Sequence, residues 1–435
     1  MTIATPSACP KDPMPLSPRR ALPAAAAVLG ISMGLANLLS YVFVVFVSSA
    51  LGPADFGGFS ALNTYGVLLA MPAGAFQVVV AARQTDAARA AGRALTGVRS
   101  ALLVGSGLAV VTIALAPVLR DVLRLDSAWS VVWLALMVPP MTVTGALQGV
   151  LLGRERYGRL SGIYLVTGGT RLVAAVLAVV AGLSVAQIFA ATFVASVVSV
   201  LAALGVTRGL LGQGPRAEHP AELLTGLVKS NVALAGLTAL SSLDVVLARA
   251  RLDDHDSGAY ALAALFGRVV FWGTQFLALT IVPTLADRRR ATVVRSTLHR
   301  AALTVVVLGG LVALVCALVP GLLVRLTGGS AFADAEPLLV WCALCGTLWA
   351  VVQVWLFAEM SRGGHVLTVV VWVAAGVQAL LVLTWLGDSP YEVVAAVGGT
   401  AGVVALIGLM LVPAKEPAPS PGSAETMEAL DLTHD

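Results

Sequence analysis

The chain has 435 residues, of which 58% are hydrophobic and 11% charged, and its mean hydropathy is +0.92. A water-soluble domain carries roughly 25% charged residues, and no soluble core absorbs this much apolar surface. The formal charge of +4 and pI near 9.0 do not point to nucleic acid as a partner, because the basic residues fall mainly in short loops between apolar runs, where they report membrane orientation.

Apolar runs of about 20 residues can cross lipid only as helices, since every backbone N–H and C=O there needs an internal partner. The period-two alternation of a membrane β-barrel is missing. A polar, proline-dotted N-terminal tail, 1–21, comes first. The run from Leu22 to Ser49 is too long for a signal peptide and lacks a convincing cleavage site, so it is expected to remain as the first span. Five more follow: Phe59 to Ala82, Val98 to Leu119, Trp129 to Leu152, Ser161 to Gly182 and Val185 to Val206. After a polar linker, 208–226, come Leu227 to Ala248, Ala259 to Leu285, Ala301 to Val319, Leu338 to Ala358, Val366 to Leu386 and Val393 to Val412. The tail 413–435 is rich in proline, serine and acidic residues and has too little apolar content to fold alone. The expected architecture is an all-α polytopic membrane protein of about twelve spans, with six-helix bundles at 22–207 and 227–412.

Most Lys and Arg fall in the even-numbered connections, notably Arg83 to Arg99 and Arg288 to Arg300, whereas the connection at Asp253, Asp254 and Asp256 is acidic. Both termini are therefore expected to be cytoplasmic in a multi-pass protein of the cytoplasmic membrane. The connections are short, so function must reside in the bundle itself. Cys316, Cys342 and Cys345 lie in apolar runs and Cys9 in the tail, which argues against a disulfide framework. The Cys342-x-x-Cys345 pair has no nearby ligand residues, so neither a metal site nor a cofactor is expected.

Ionisable groups inside spans are costly and usually face a partner or a watery cavity. Arg171, Arg268 and Asp244 are such groups. The arginines suit an anionic phosphate, which guanidinium binds bidentately. Asp244 can take up H+ or Na+ for coupling, or pair structurally with Arg268 or Arg249. Asn37, Asn63, Gln77, Gln148, Asn231, Gln275 and Gln353 are polar residues within spans. They can bond sugar hydroxyls from a cavity or join helix to helix. Pro72, Pro139, Pro140 and Pro283 interrupt spans as candidate hinges or as fixed packing kinks. Gly30-x-x-x-Gly34 is a signal for close helix approach. The basic groups Arg83, Arg89, Arg93, Arg154, Arg156 and Arg159 set topology, with recruitment of an anionic lipid as the secondary reading.

Sliding the chain on itself by about 201 residues aligns two segments. Leu51-Gly-Pro-Ala-Asp55-Phe-Gly57-Gly-Phe59 meets Leu252-Asp-Asp-His-Asp256-Ser-Gly258-Ala-Tyr260. With a small gap, Pro117 meets Pro320 and Gln148 meets Gln353. An even number of spans per repeat relates the copies by a pseudo-two-fold axis along the membrane normal, an arrangement of transporters with the substrate path between bundles.

The segment Leu51 to Gly57 resembles the one that closes the first span in oligosaccharide and polysaccharide flippases, whose superfamily also includes multidrug extrusion transporters and lipid II flippases. Leu243-Asp244 through Arg249, Ser257-Gly-Ala-Tyr260 and Pro283 are similar to the family pattern in the second half. The resemblance implies an alternating-access carrier that moves a polyprenyl-pyrophosphate-linked oligosaccharide across the cytoplasmic membrane for cell-surface polysaccharide biosynthesis, among membrane lipids and in company with polysaccharide assembly proteins. A cation-coupled small-molecule or multidrug antiporter of the same fold is the first alternative. A major-facilitator carrier ranks below it, because Arg83 to Arg93 matches that family's basic loop only loosely. A membrane glycosyltransferase or polymerase fits poorly: the five histidines lie in loops or tails, and no carboxylate pair or nucleotide-binding glycine loop is evident.

Overall fold

The computed structural model describes residues 22–84, 90–211, 220–285, 291–361 and 364–411, with side chains described over 28–84, 94–211, 231–274, 298–360 and 364–411. The tails expected at 1–21 and 413–435, and Cys9, lie outside the described residues. The described chain is helical: α1 (Leu22–Ala50), α2 (Pro53–Leu69), α3 (Met71–Ala82), α4 (Ala90–Ala114), α5 (Ala116–Val122), α6 (Trp129–Gly153), α7 (Tyr157–Val180) and α8 (Val185–Thr207) form the first half. The second half comprises α9 (Pro220–Arg251), α10 (Asp254–Leu285), α11 (Ala291–Leu318), α12 (Pro320–Thr327), α13 (Leu339–Ser361), α14 (Val366–Thr384) and α15 (Pro390–Leu411). Among the described residues, 11 helices or helix pairs are long and apolar enough to cross a membrane, and α10, at 32 residues, has the length for a twelfth. The result is an all-α polytopic fold of two six-span bundles.

Three spans are broken, each ahead of a proline that starts the next helix. Ala70 separates α2 from α3 two residues before Pro72, and Leu115 and Val319 precede the helices that open around Pro117 and Pro320. Proline lacks an N–H, so it restarts a helix at no hydrogen-bonding cost in the first turn. Pro72 thus sits at a real break, whereas Pro139 and Pro140 lie inside the unbroken α6. There Thr142 Oγ1 donates to Pro139 O at 2.9 Å and Thr144 Oγ1 to Pro140 O at 2.8 Å, ordinary hydroxyl-to-backbone bonds within the same helix. In this conformation the two prolines lie within a continuous helix. Pro283 lies in α10, where its side chain is outside the described residues.

α9 begins at Pro220, within the segment expected to be linker, and α2 begins at Pro53, six residues before the expected apolar run. Both extensions carry polar residues at a helix end, which hydropathy does not score as span.

The halves repeat each other's packing. α1 packs on α7 as α9 packs on α14, and α6 sits against α3, α4 and α8 as α13 sits against α10, α11 and α15. Equivalent glycines make the close approaches. A Cβ on Gly105 of α4 would stand 2.2 Å from Thr142 Oγ1 of α6, and one on Gly309 of α11 would stand 2.1 Å from Thr347 Oγ1 of α13. In lipid, helices associate through close van der Waals packing of small residues, and these glycines provide it. By contrast, among the described residues nothing lies within 4 Å of a would-be Cβ on Gly30 or Gly34, so none makes the expected close approach at that motif.

Candidate functional site

Between the halves lies a cavity of about 250 Å³ lined by α1, α2, α7, α9 and α10. Asn37, Tyr41, Asn63, Arg171, Arg268 and Trp272 provide most of its chemistry. The first half contributes Arg171, whose guanidinium carbon sits 5.2 Å from the centre of the Phe43 ring and whose Nη2 donates to Asn63 Oδ1 at 3.2 Å. Its Nε is buried without a partner. A cation over an aromatic face is held by the ring quadrupole without losing its charge, so Arg171 is oriented but not neutralised by these neighbours.

The second half contributes Arg268, whose Nη2 lies 3.2 Å from Asp244 Oδ1. The carboxylate is 1% exposed and also accepts a hydrogen bond from Tyr260 Oη at 3.1 Å, while the arginine side chain keeps 13% exposure. Of the alternatives open in the sequence, Asp244 takes Arg268 as its partner, and Arg249 points elsewhere. Tyr41 of α1 donates to the backbone carbonyl of Arg268 at 2.8 Å, a bond between the halves. Among the described residues the lining includes no carboxylate, because Asp244 stands behind Arg268 and not in the wall.

The structure thus brings Asn37, Arg171 and Arg268 to one cavity, with Asn63 beside them. Gln148 and Gln353 are not: they are 8% and 2% exposed and absent from the lining, buried in α6 and α13. Those are the most enclosed spans of each half, with 67% and 72% of their apolar windows buried. Repeat equivalence placed the two glutamines symmetrically, in the interiors of the two bundles and outside the lining of this cavity. Asn231 is half-buried near the start of the described side chains of α9 and does not line the cavity either. Gln77 Nε2 donates to Tyr164 Oη at 2.6 Å, a helix-to-helix bond within the first half. Gln275 lies outside the described side chains.

Sequence reasoning missed Tyr41 and Phe43. Both are aromatic residues in an apolar run, where only the packing of α1 on α7 brings Phe43 to Arg171 and only the approach of α1 to α10 brings Tyr41 to Arg268.

No family model and no curated protein matches the chain. Solved structures do match. An inward-facing multidrug resistance MATE family transporter of the MOP superfamily aligns at TM-score 0.70 and 13% identity over 89% of this chain and 98% of that one. The lipid II flippase MurJ in an inward closed conformation aligns at TM-score 0.67 and 11% identity over 89% and 87%. An outward-facing MATE family transporter aligns at TM-score 0.58 and 14% identity over 89% and 94%. A two-bundle helical membrane protein built on an internal repeat, superposing along nearly its whole length on multidrug exporter and lipid flippase alike, has the fold of the MOP-superfamily transporters.

Proposed function

We propose that this protein is an alternating-access transporter that flips an anionic, polyprenyl-pyrophosphate-linked oligosaccharide across the cytoplasmic membrane, with both termini in the cytoplasm. The observation that carries the reading is the charge of the cavity: among the described residues its wall holds two guanidinium groups and no carboxylate. Asp244 offsets Arg268, and Arg171 has only an amide and an aromatic face as neighbours. In a low-dielectric site that uncompensated positive charge attracts an anion and repels a cation. A cationic drug would meet the wrong sign, which ranks the antiporter second.

The volume suits the charged linkage rather than a whole glycan, which would extend toward the open mouth. The better superposition on the inward-facing relative supports a cavity open at the end that carries the basic loops. A pyrophosphate linkage held in the cavity and an isoprenoid chain left in lipid is the division of labour this geometry favours.

The test is transfer of a labelled polyprenyl-pyrophosphate oligosaccharide across proteoliposomes, comparing wild type with Arg171→Ala and Arg268→Ala at matched reconstitution. Flipping by wild type that slows in both variants supports the reading. If folded wild type moves none of several such lipids but exchanges small cations for protons, the antiporter takes its place.

A further inference from the structure

The two copies of the sequence repeat meet in space. Gly57 and Gly258, which occupy equivalent places in the repeat, face one another where α2 crosses α10. A Cβ on Gly258 would lie 1.9 Å from Pro53 O, and one on Gly57 would lie 2.8 Å from Ser257 Oγ and 3.0 Å from Gly258 N. Backbones approach this closely only where both side chains are absent.

On either side of the crossing the halves are joined by equivalent donors and equivalent acceptors. Ser48 and Arg249 are 201 residues apart, the offset of the repeat, and Arg124 and Thr327 correspond through the alignment that pairs Pro117 with Pro320. Ser48 Oγ donates to Thr327 O at 2.5 Å. Arg249, 3% exposed, reaches the opposite half through the same construction: its Nε donates to Leu123 O at 2.9 Å and its Nη2 to Arg124 O at 3.0 Å. Arg124 has φ +46°, a left-handed residue that turns the chain after α5 and brings those carbonyls to the interface. It answers in kind, its Nη2 donating to Arg249 O at 2.5 Å and to Leu252 O. Asp254 Oδ1 lies 3.2 Å from both guanidinium groups and so holds two like charges together. On the Ser48 side, Phe56 packs edge-on against Phe332, with ring centroids 5.6 Å apart.

We propose that the duplicated motif is the gate closing the end of the path opposite the basic loops, with pseudo-symmetric bolts of unequal strength. Ser48 supplies one neutral hydrogen bond, whereas Arg249 and Arg124 supply a reciprocal, carboxylate-bridged set of charge-assisted bonds. Charge-assisted bonds are individually about twice as strong as neutral ones. The Arg249 side therefore sets the free energy of opening, and the Ser48 side yields first. This inference concerns the gate and is independent of which substrate passes it.

The experiment uses a chain whose Cys9, Cys316, Cys342 and Cys345 are replaced by alanine and which carries Val67→Cys in the cavity wall. The rate of modification by a membrane-impermeant thiol reagent is measured from each membrane face without substrate. In the parent the cysteine reacts from the face of the basic loops. Arg249→Ala, and separately the partly exposed Arg124→Ala, are expected to raise the rate from the opposite face about tenfold, the factor expected for losing a hydrogen bond to a charged group. Ser48→Ala is expected to raise it by a smaller factor. The proposal is overturned if both arginine variants, monodisperse and with unchanged melting, leave that rate where it was, or if Ser48→Ala equals or exceeds them. Failure of lipid flipping would leave these labelling rates untouched, so the two readings fail separately.

Discussion

Arg268 on α10 donates from Nη2 to Asp244 Oδ1 on α9 at 3.2 Å, so the one carboxylate among the candidate residues is held within its own half and kept out of the cavity wall. Removing one partner of a buried pair strands the other, at a cost of about 3–5 kcal/mol, whereas removing both is far less damaging. Asp244→Ala should therefore lower the melting temperature in detergent markedly, and Asp244→Ala combined with Arg268→Ala should restore most of the loss. Equal melting of the single and double variants would rule out the pairing as a stabilising contact.

Arg171 sits with its guanidinium carbon 5.2 Å from the centre of the Phe43 ring while Nη2 reaches Asn63. A lysine keeps the charge but loses the planar fork, and it cannot make both contacts. With a cation–π contact worth about 0.5–2 kcal/mol, Arg171→Lys should weaken binding of a short-chain polyprenyl pyrophosphate by roughly tenfold, with Phe43→Leu falling between it and wild type. Equilibrium binding in detergent decides this, and unchanged affinity in Arg171→Lys would mean that charge alone matters.

Gly105 and Gly309 make the same contact in the two halves, each against a threonine hydroxyl on the facing helix. Overpacking of this kind costs about 1–3 kcal/mol. Gly105→Ala and Gly309→Ala should each lower thermal stability by that order, while Gly30→Ala and Gly34→Ala, with open space at the Cβ, should leave it unchanged. A drop in the second pair and none in the first would contradict the packing described.

Gln353 is 2% exposed and its Oε1 has no hydrogen-bond partner. An unsatisfied buried acceptor is a cost that an apolar residue of similar size avoids. Gln353→Leu should keep transport and leave melting unchanged or higher. Loss of transport at normal stability would return Gln353 to the substrate path.

The sequence by itself determined the membrane helices, the number of spans and the duplication. Each follows from a local or periodic property: an apolar run long enough to cross lipid, and a pattern that recurs after a fixed offset. It also singled out Arg171, Arg268 and Asp244, because charge in an apolar run is conspicuous wherever the residue points.

Only the tertiary structure decided which way those residues and the other polar groups face. Gln148 and Gln353 look the same on paper as Asn37 and Asn63, yet helix rotation and bundle position bury the first pair and bring the second to the cavity. Likewise Arg249 can reach Asp244 or the far half from its place in α9, and the turn at Arg124, contributed from more than a hundred residues away, settles the choice. A side chain's partner across a membrane bundle is fixed by how two helices cross, and a linear pattern carries the period of each helix but not that crossing.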